Sequence, residues 1–167
     1  MEPTPRRAAR LLIIDPTSGA VLLFQYEDGG RRWWVPPGGA LEGDETFEEA
    51  AIREAAEELA ISSRSFLPLW RRTVEFSFRG TPFRQEEHYF LLRIAPGEMA
   101  LGHEVREAHR HEGILAMRWW SLENIDTTSE QVFPEDLAQR LRELRLEVTP
   151  TDARESEIET TAFTTGR

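Results

Sequence analysis

The stretch TFEEAAIREAAEEL, residues 46 to 59, constrains the fold more than any other part of the chain. Ala50, Ala51, Ala55 and Ala56 are strong helix formers, and Thr46 with Glu49 three residues later is a capping-box pattern, so the spacing predicts a helix from Thr46 to about Leu59. At about 100° per residue, Glu54, Glu57 and Glu58 share an arc of about 100°, with Ala50 and Ala51 one turn below on the same side. Ile52, Ala56 and Leu59 lie opposite, on the side expected to dock on a core. Each like-charged pair costs roughly 0.2–0.5 kcal/mol, and carboxylates late in a helix oppose its dipole. No lysine or arginine sits in that arc. The cluster is therefore either a solvated glutamate face or a set of hard oxygen ligands suited to Mg²⁺ or Mn²⁺, whose charge would cancel the repulsion.

The flanks read as strands. ARLLIIDPTSGAVLLFQY gives two, at about 9–14 and 20–26, joined by a turn, and RRWWVPPGGALEGDE runs from a short aromatic strand into a Pro- and Gly-rich loop. Beyond the helix, Trp70, Arg72, Val74, Phe76 and Phe78 alternate with polar residues, and a hairpin with a Gly-Thr-Pro turn is expected. Residues 96–115 read as a long polar loop, LAMRWWSL as a strand, and PEDLAQRLRELRLE as a helix with Leu137, Leu141 and Leu144 on one stripe. From about Thr149 the composition is polar, so one domain over 1–148 and a tail over 149–167 are expected. The element order implies an α+β or layered α/β/α domain.

Composition removes several chemistries. There is no cysteine, hence no disulfide, thiolate metal site or cysteine nucleophile, and the chain suits a reducing cytoplasm. All 20 basic residues are arginine, which excludes Schiff-base chemistry and the Walker-type phosphate lysine. A net charge of −10 disfavours a nucleic-acid partner but admits a small anionic substrate neutralised by a divalent cation. No apolar run suits a signal peptide or a membrane span.

Read with the preceding loop, the helix belongs to a longer pattern: Gly39-x5-Glu45-x7-Arg53-Glu54-Ala55-x-Glu57-Glu58-x-Ala60-Ile61. This spacing resembles the Nudix box of the Nudix hydrolases, and WVPPGG and Glu42 are also similar to that family. Average residue frequencies put a chance match per start position on the order of 10⁻⁶. The resemblance implies an α/β/α sandwich with a mixed sheet between helices. Two positions depart from the pattern. Ala55 stands where a larger aliphatic is preferred, and Ala60 replaces a glycine, at a cost of about 1–2 kcal/mol if that residue is left-handed.

The resemblance further implies hydrolysis of a nucleoside diphosphate linked to another moiety, with Mg²⁺ (or Mn²⁺) activating a water that attacks phosphorus in line. It makes Glu57 and Glu58 metal ligands, joined by the Gly38 carbonyl, and Glu54 either a ligand or the general base. Arg53 and Glu45 would be about 12 Å apart along one helix axis, so they pair only if the 38–45 loop folds back. A later loop residue often completes such sites. Glu112 is the first candidate, with Glu104 and Glu107 as rivals, while His109 and His111 read as loop histidines ahead of a zinc pair. Arg71, Arg72, Arg79 and Arg84 are either phosphate clamps or exposed strand residues. Trp33, Trp34, Phe24, Phe76, Phe78 and Tyr89 include base-stacking positions among core aromatics.

The implied substrate is a small nucleotide: a nucleoside triphosphate, nucleotide sugar or dinucleotide. Relatives acting on ADP-ribose or diadenosine polyphosphates often carry a proline or tyrosine about 16 residues after the box, where this chain has Ser77 and Phe78. A non-catalytic nucleotide-sensing domain is the alternative, although it usually accompanies loss of the glutamates retained here. A homodimer is left open.

Overall fold

The computed structural model describes residues 1–63, 65–99, 107 and 109–148, so the expected polar tail and Glu104 lie outside the described residues. Strands β1 (Thr4–Ile14), β2 (Val21–Asp28), β3 (Arg31–Val35) and β4 (Gly38–Ala40) precede helix α1 (Phe47–Leu59). Then come β5 (Leu67–Phe78), β6 (Thr81–Arg93), a 3-10 turn (Pro96–Glu98), β7 (Ile114–Trp120), and helices α2 (Leu122–Thr127) and α3 (Leu137–Val148). The strands run β3-β2-β1-β6-β5, with β4 paired to β1 and β7 to β2. The β1–β6 pair is parallel and the others antiparallel, so the sheet is mixed.

Alternation along each strand divides the core between two faces. Leu11, Ile13, Leu22, Phe24 and Phe90 pack under α1 with Ala50, Ala51, Ala55 and Leu59. Leu12, Val21, Leu23, Trp70 and Leu91 pack on the other side with Leu122 of α2 and Leu137, Leu141 and Leu144 of α3. This is an α+β sandwich, a mixed sheet between helices. No helix among the described residues is long and apolar enough to cross a membrane.

Several local expectations are corrected. β1 starts at Thr4, five residues ahead of its apolar run, because β6 offers it an unbroken parallel partner from Thr4↔Phe83 to Ile14↔Arg93. The hairpin turns on Arg79 and Gly80, both at positive φ (51° and 79°), the pattern of a two-residue type I′ connection, and Thr81 already pairs with Phe78. The expected loop over 96–115 contains the 3-10 turn and helical residues His109 to His111. Helix α3 begins at Leu137, after Pro134 rather than on it.

The docking side of α1 also differs from the expectation. Ala50, Ala51, Ala55 and Leu59 are fully buried, Ile52 is half-buried and Ala56 is exposed. Alanine lets the helix axis approach the sheet closely, so this side wins over the one carrying Ile52. It is also the side of Glu54 and Glu58, both of which become buried.

Thr46 caps α1 by accepting the Glu49 N–H. At the other end Ala60 is left-handed (φ 54°, ψ 35°), its N–H donating to Ala56 and that of Ile61 to Ala55, a Schellman-type closure without its glycine. Ala60→Gly is expected to raise the unfolding free energy by about 1 kcal/mol in urea denaturation. A lower stability would show that the strain at residue 60 is relieved elsewhere.

Candidate active site

Arg53 organises the loop before α1. Its Nε donates to Glu45 Oε1 at 2.7 Å and its Nη2 to Glu45 Oε2 at 3.1 Å and to the Ala40 carbonyl at 3.0 Å. Glu45 in turn accepts from the Glu42 N–H at 2.9 Å, so the loop does fold back over the helix. Its hydrogen bond from Arg53 holds the Glu45 carboxyl below the usual range. The same bond raises Arg53 further, against the cost of burial. Arg53 Nη1 also reaches Glu54 Oε1 at 3.0 Å and Glu57 Oε2 at 3.1 Å. The carboxylate face therefore does have a cation, one that curls round from outside its arc.

The glycines set how closely the loop approaches. At Gly38 (φ 142°) a Cβ would meet the Ala9 carbonyl oxygen at 2.0 Å, and at Gly39 it would meet Glu54 Oε1 at 2.3 Å. Gly38 must be glycine for β4 to lie on β1, and Gly39 leaves room for the Glu54 carboxylate.

The three helix glutamates occupy different environments. The side chains of Glu54 and Glu58 are 9% and 6% exposed, and that of Glu57 is 55% exposed. Burial raises the proton affinity of Glu54, offset in part by Arg53. Burial, followed by the charges of Glu54, Glu112 and Glu57, pushes the Glu58 carboxyl up to about 8. Glu58 Oε2 is buried without a hydrogen-bond partner. Among the described residues no three acidic or histidine side chains converge as a ready-made ligand set, since Glu54 and Glu57 both turn to Arg53. Crowded hard-oxygen donors with one orphaned carboxylate oxygen nonetheless fit a divalent cation of the Mg²⁺ or Mn²⁺ kind.

Glu112 joins this group from the turn before β7, near enough for its charge to raise both Glu54 and Glu58. Glu107 is exposed. His109 and His111 form no metal pair. His109 is buried with Nε2 on the Glu58 carbonyl, and His111 is exposed.

The sheet also carries a charged patch that the sequence reading missed. Glu87, 4% exposed, accepts from Arg10 Nε at 3.3 Å, the Tyr89 hydroxyl at 2.9 Å and Gln85 Nε2 at 2.8 Å, and is ion-paired with Arg72, whose Nε lies 3.0 Å away. Burial works against the Glu87 charge, but Arg10 and then Arg72 outweigh it and lower its pKa. Arg6 stacks on Phe83 and, although burial lowers its pKa, it feels the charges of Glu112 and Glu54. The Tyr26 hydroxyl is raised by burial and senses Arg10, Glu58, Glu112 and Glu54. Arg6 and Tyr26 thus lie within electrostatic reach of both Arg10 and the acidic cluster. Tyr26 also belongs to an aromatic group with Trp33 and Phe78, stacked on Trp33 at 6.1 Å.

Of the sequence-selected arginines, only Arg72 lies on this patch. Arg71 is exposed on the outer face, Arg84 is exposed and 3.8 Å from Glu75, and Arg79 covers Phe78 at the hairpin tip. Outward pointing follows from strand alternation, which separates 71 from 72 and 84 from 85. Trp34 is core: it is 4% exposed, edge-on to Trp120, and donates to Glu130 at 3.2 Å. Phe24 is fully buried, Phe76 packs on Phe83, and Tyr89 is held by Glu87. Arg10 was detectable, since alternation puts it in line with inward-facing Ala8 and Leu12.

An anchored acidic helix, a close glycine loop and a mixed sheet between helices together define a Nudix fold with its box assembled. Comparison with known proteins agrees: the NUDIX domain family matches residues 4–145, and the chain belongs to the Nudix hydrolase family. A putative mutator protein MutT4 of Mycobacterium tuberculosis (strain CDC 1551 / Oshkosh) is 34% identical over 95 residues, which are 53% of this chain and 38% of that protein. The chain thus matches well under half of that relative's length. The MutT protein of Methanosarcina mazei Go1 superposes with a TM-score of 0.60 at 20% identity, covering 86% of this chain and 96% of that one. The C. elegans Ap4A hydrolase does so at 0.52 and 24%, covering 85% and 95%. At these identities the two structures speak for the fold alone.

The raised Glu58 carboxyl has a pH signature. A carboxyl whose folded pKa exceeds its unfolded value binds a proton on folding. Its contribution is therefore complete below the unfolded pKa near 4.5 and is lost as pH rises through about 8. Without divalent cations the protein should lose melting temperature between pH 5 and 8.5, and Glu58→Gln should flatten the loss. At pH 8 that variant should be the more stable by at least about 1 kcal/mol. Parallel slopes for the two proteins would contradict this assignment.

Proposed function

We propose that the chain is a divalent-cation-dependent hydrolase that cleaves the pyrophosphate bond of a nucleoside diphosphate linked to another moiety. The observation that carries the reading is the crowding of Glu54, Glu57, Glu58 and Glu112, with Glu58 desolvated and one of its oxygens lacking a hydrogen bond. Such an arrangement is costly by itself and is offset by a bound cation. Glu57, Glu58 and Glu112, with the Gly38 carbonyl, are the residues that would hold Mg²⁺ or Mn²⁺. When bound, the cation stabilises negative charge developing at phosphorus and makes a water acidic enough to be the nucleophile.

The chain's own groups do the rest. Arg53 sets the rotamers of Glu54 and Glu57 against the 38–45 loop, and Glu45 fixes Arg53. Glu54, buried beside Gly39 with raised proton affinity, either adds a ligand or takes the proton of the attacking water. Arg72, pinned with Arg10 by Glu87, and Arg6 beside them, offer guanidinium groups to anionic oxygens of the substrate. Trp33, Tyr26 and Phe78 supply aromatic surface for a base. Membership of the Nudix family supports a small nucleotide, whether triphosphate, sugar nucleotide or dinucleotide.

A hydrolysis screen with Mg²⁺ and Mn²⁺ over a nucleoside-diphosphate panel tests the reading. Glu57→Gln and Glu58→Gln should lower kcat by roughly 10²–10⁴-fold in folded protein. Turnover of nothing by the wild type, or equal rates in the variants, would overturn it. On the substrate so found, Arg72→Gln should raise KM by about tenfold. Arg84→Gln should leave both constants within about twofold, since exposed pairs contribute little. Equal effects of the two arginine variants would contradict the placement of Arg72.

A further inference from the structure

One buried contact has no part in the scheme above: that of His109 with Glu58. His109 Nε2 lies 2.5 Å from the Glu58 carbonyl oxygen and 3.4 Å from Glu58 Oε2, and its ring packs 5.0 Å from that of Phe24. The nearer atom is a carbonyl oxygen, which can only accept, so Nε2 carries the hydrogen and donates it there. Carbonyls in the last turn of a helix lack partners within it. Those of Ala55 and Ala56 are taken by Ile61 and Ala60, and that of Glu58 is taken by His109.

The consequence lies three residues further along. His109 is anchored to the end of α1, and Ile114 is anchored to β2 opposite Tyr26. Between them the chain turns, with the Gly113 N–H on the Arg110 carbonyl at 3.1 Å and Gly113 at φ 86°. Glu112 sits in that short span, pinned on both sides. We propose that His109 is a positioning residue: its bond to Glu58 locks the end of α1 to the 109–113 turn and holds Glu112 beside Glu54 and Glu58 as one ligand set for the divalent cation. The inference rests on the hydrolase reading and adds to it the residue that couples helix to loop. Outer residues that orient metal ligands commonly change metal affinity by about 10–100-fold.

The test measures Mn²⁺ affinity by electron paramagnetic resonance without substrate, alongside thermal stability. His109→Leu fills the space against Phe24 but cannot donate, whereas His109→Gln places an amide N–H at similar reach. His109→Leu and Glu112→Gln should each weaken Mn²⁺ binding about tenfold, and the double variant should be no weaker than about twofold below either. His109→Gln should recover most of the affinity. Should His109→Leu not fold, His109→Asn, polar but too short to reach the carbonyl, takes its place with the same expectation. Wild-type Mn²⁺ affinity in a folded His109→Leu or His109→Asn, or losses that multiply in the double variant, would overturn the coupling. Failure of the hydrolase reading looks different: the wild type would not bind Mn²⁺, or Glu58→Gln would bind it unchanged, and the inference would fall with it.

Discussion

The Arg53 guanidinium is the interaction on which the site depends. One side chain ties the 38–45 loop to α1 through Glu45 and the Ala40 carbonyl, and simultaneously holds Glu54 and Glu57. Loop and helix are separate elements, and their relative position decides whether Gly39 lies on Glu54 or elsewhere. A bidentate pair with Glu45 at 2.7 and 3.1 Å is the geometry arginine offers and lysine does not. Removing it would free the loop and leave two carboxylates without their cation.

A second constraint acts from beneath. Because α1 docks by alanines, it lies close to the sheet, and Glu54 and Glu58 are carried into low dielectric with it. Larger aliphatics would hold the helix away and keep the glutamates wet. The departure at Ala55, where a bulkier residue is usual in the pattern, is thus compatible with a helix set deep on Leu11, Ile13 and Phe24. The cost of that depth is seen in Glu58, protonated near neutral pH in the absence of a cation. On the sheet, Arg10 and Arg72 share Glu87, so that patch keeps a net positive charge.

Much of the architecture was legible in the residues. The strand of alternating Trp70 to Phe78, the capped helix and the leucine stripe of α3 each declare themselves by period, because in each one face is apolar and the other polar. What period cannot show is a strand whose ends are polar on both faces: Thr4 to Ala8 is strand only because β6 lies alongside. The spacing from Gly39 to Glu58 located the acidic site, and the fold-back of Glu45 onto Arg53 followed from its length. The docking side of α1 was misjudged because hydrophobicity favoured Ile52 over small alanines, whereas close packing favoured the alanines. Arg10 and Glu87 went unnoticed since isolated charges on a strand read as solvent-facing.

We propose that the α1 carboxylates form a cation site kept partly protonated until the cation arrives. Calorimetric titration of Mg²⁺ into the protein at pH 7, repeated in buffers of different ionisation enthalpy, counts the protons that leave on binding. The account predicts binding with net release of about one proton per chain, most of it from Glu58. Absence of Mg²⁺ binding, or binding with no proton released, would contradict it.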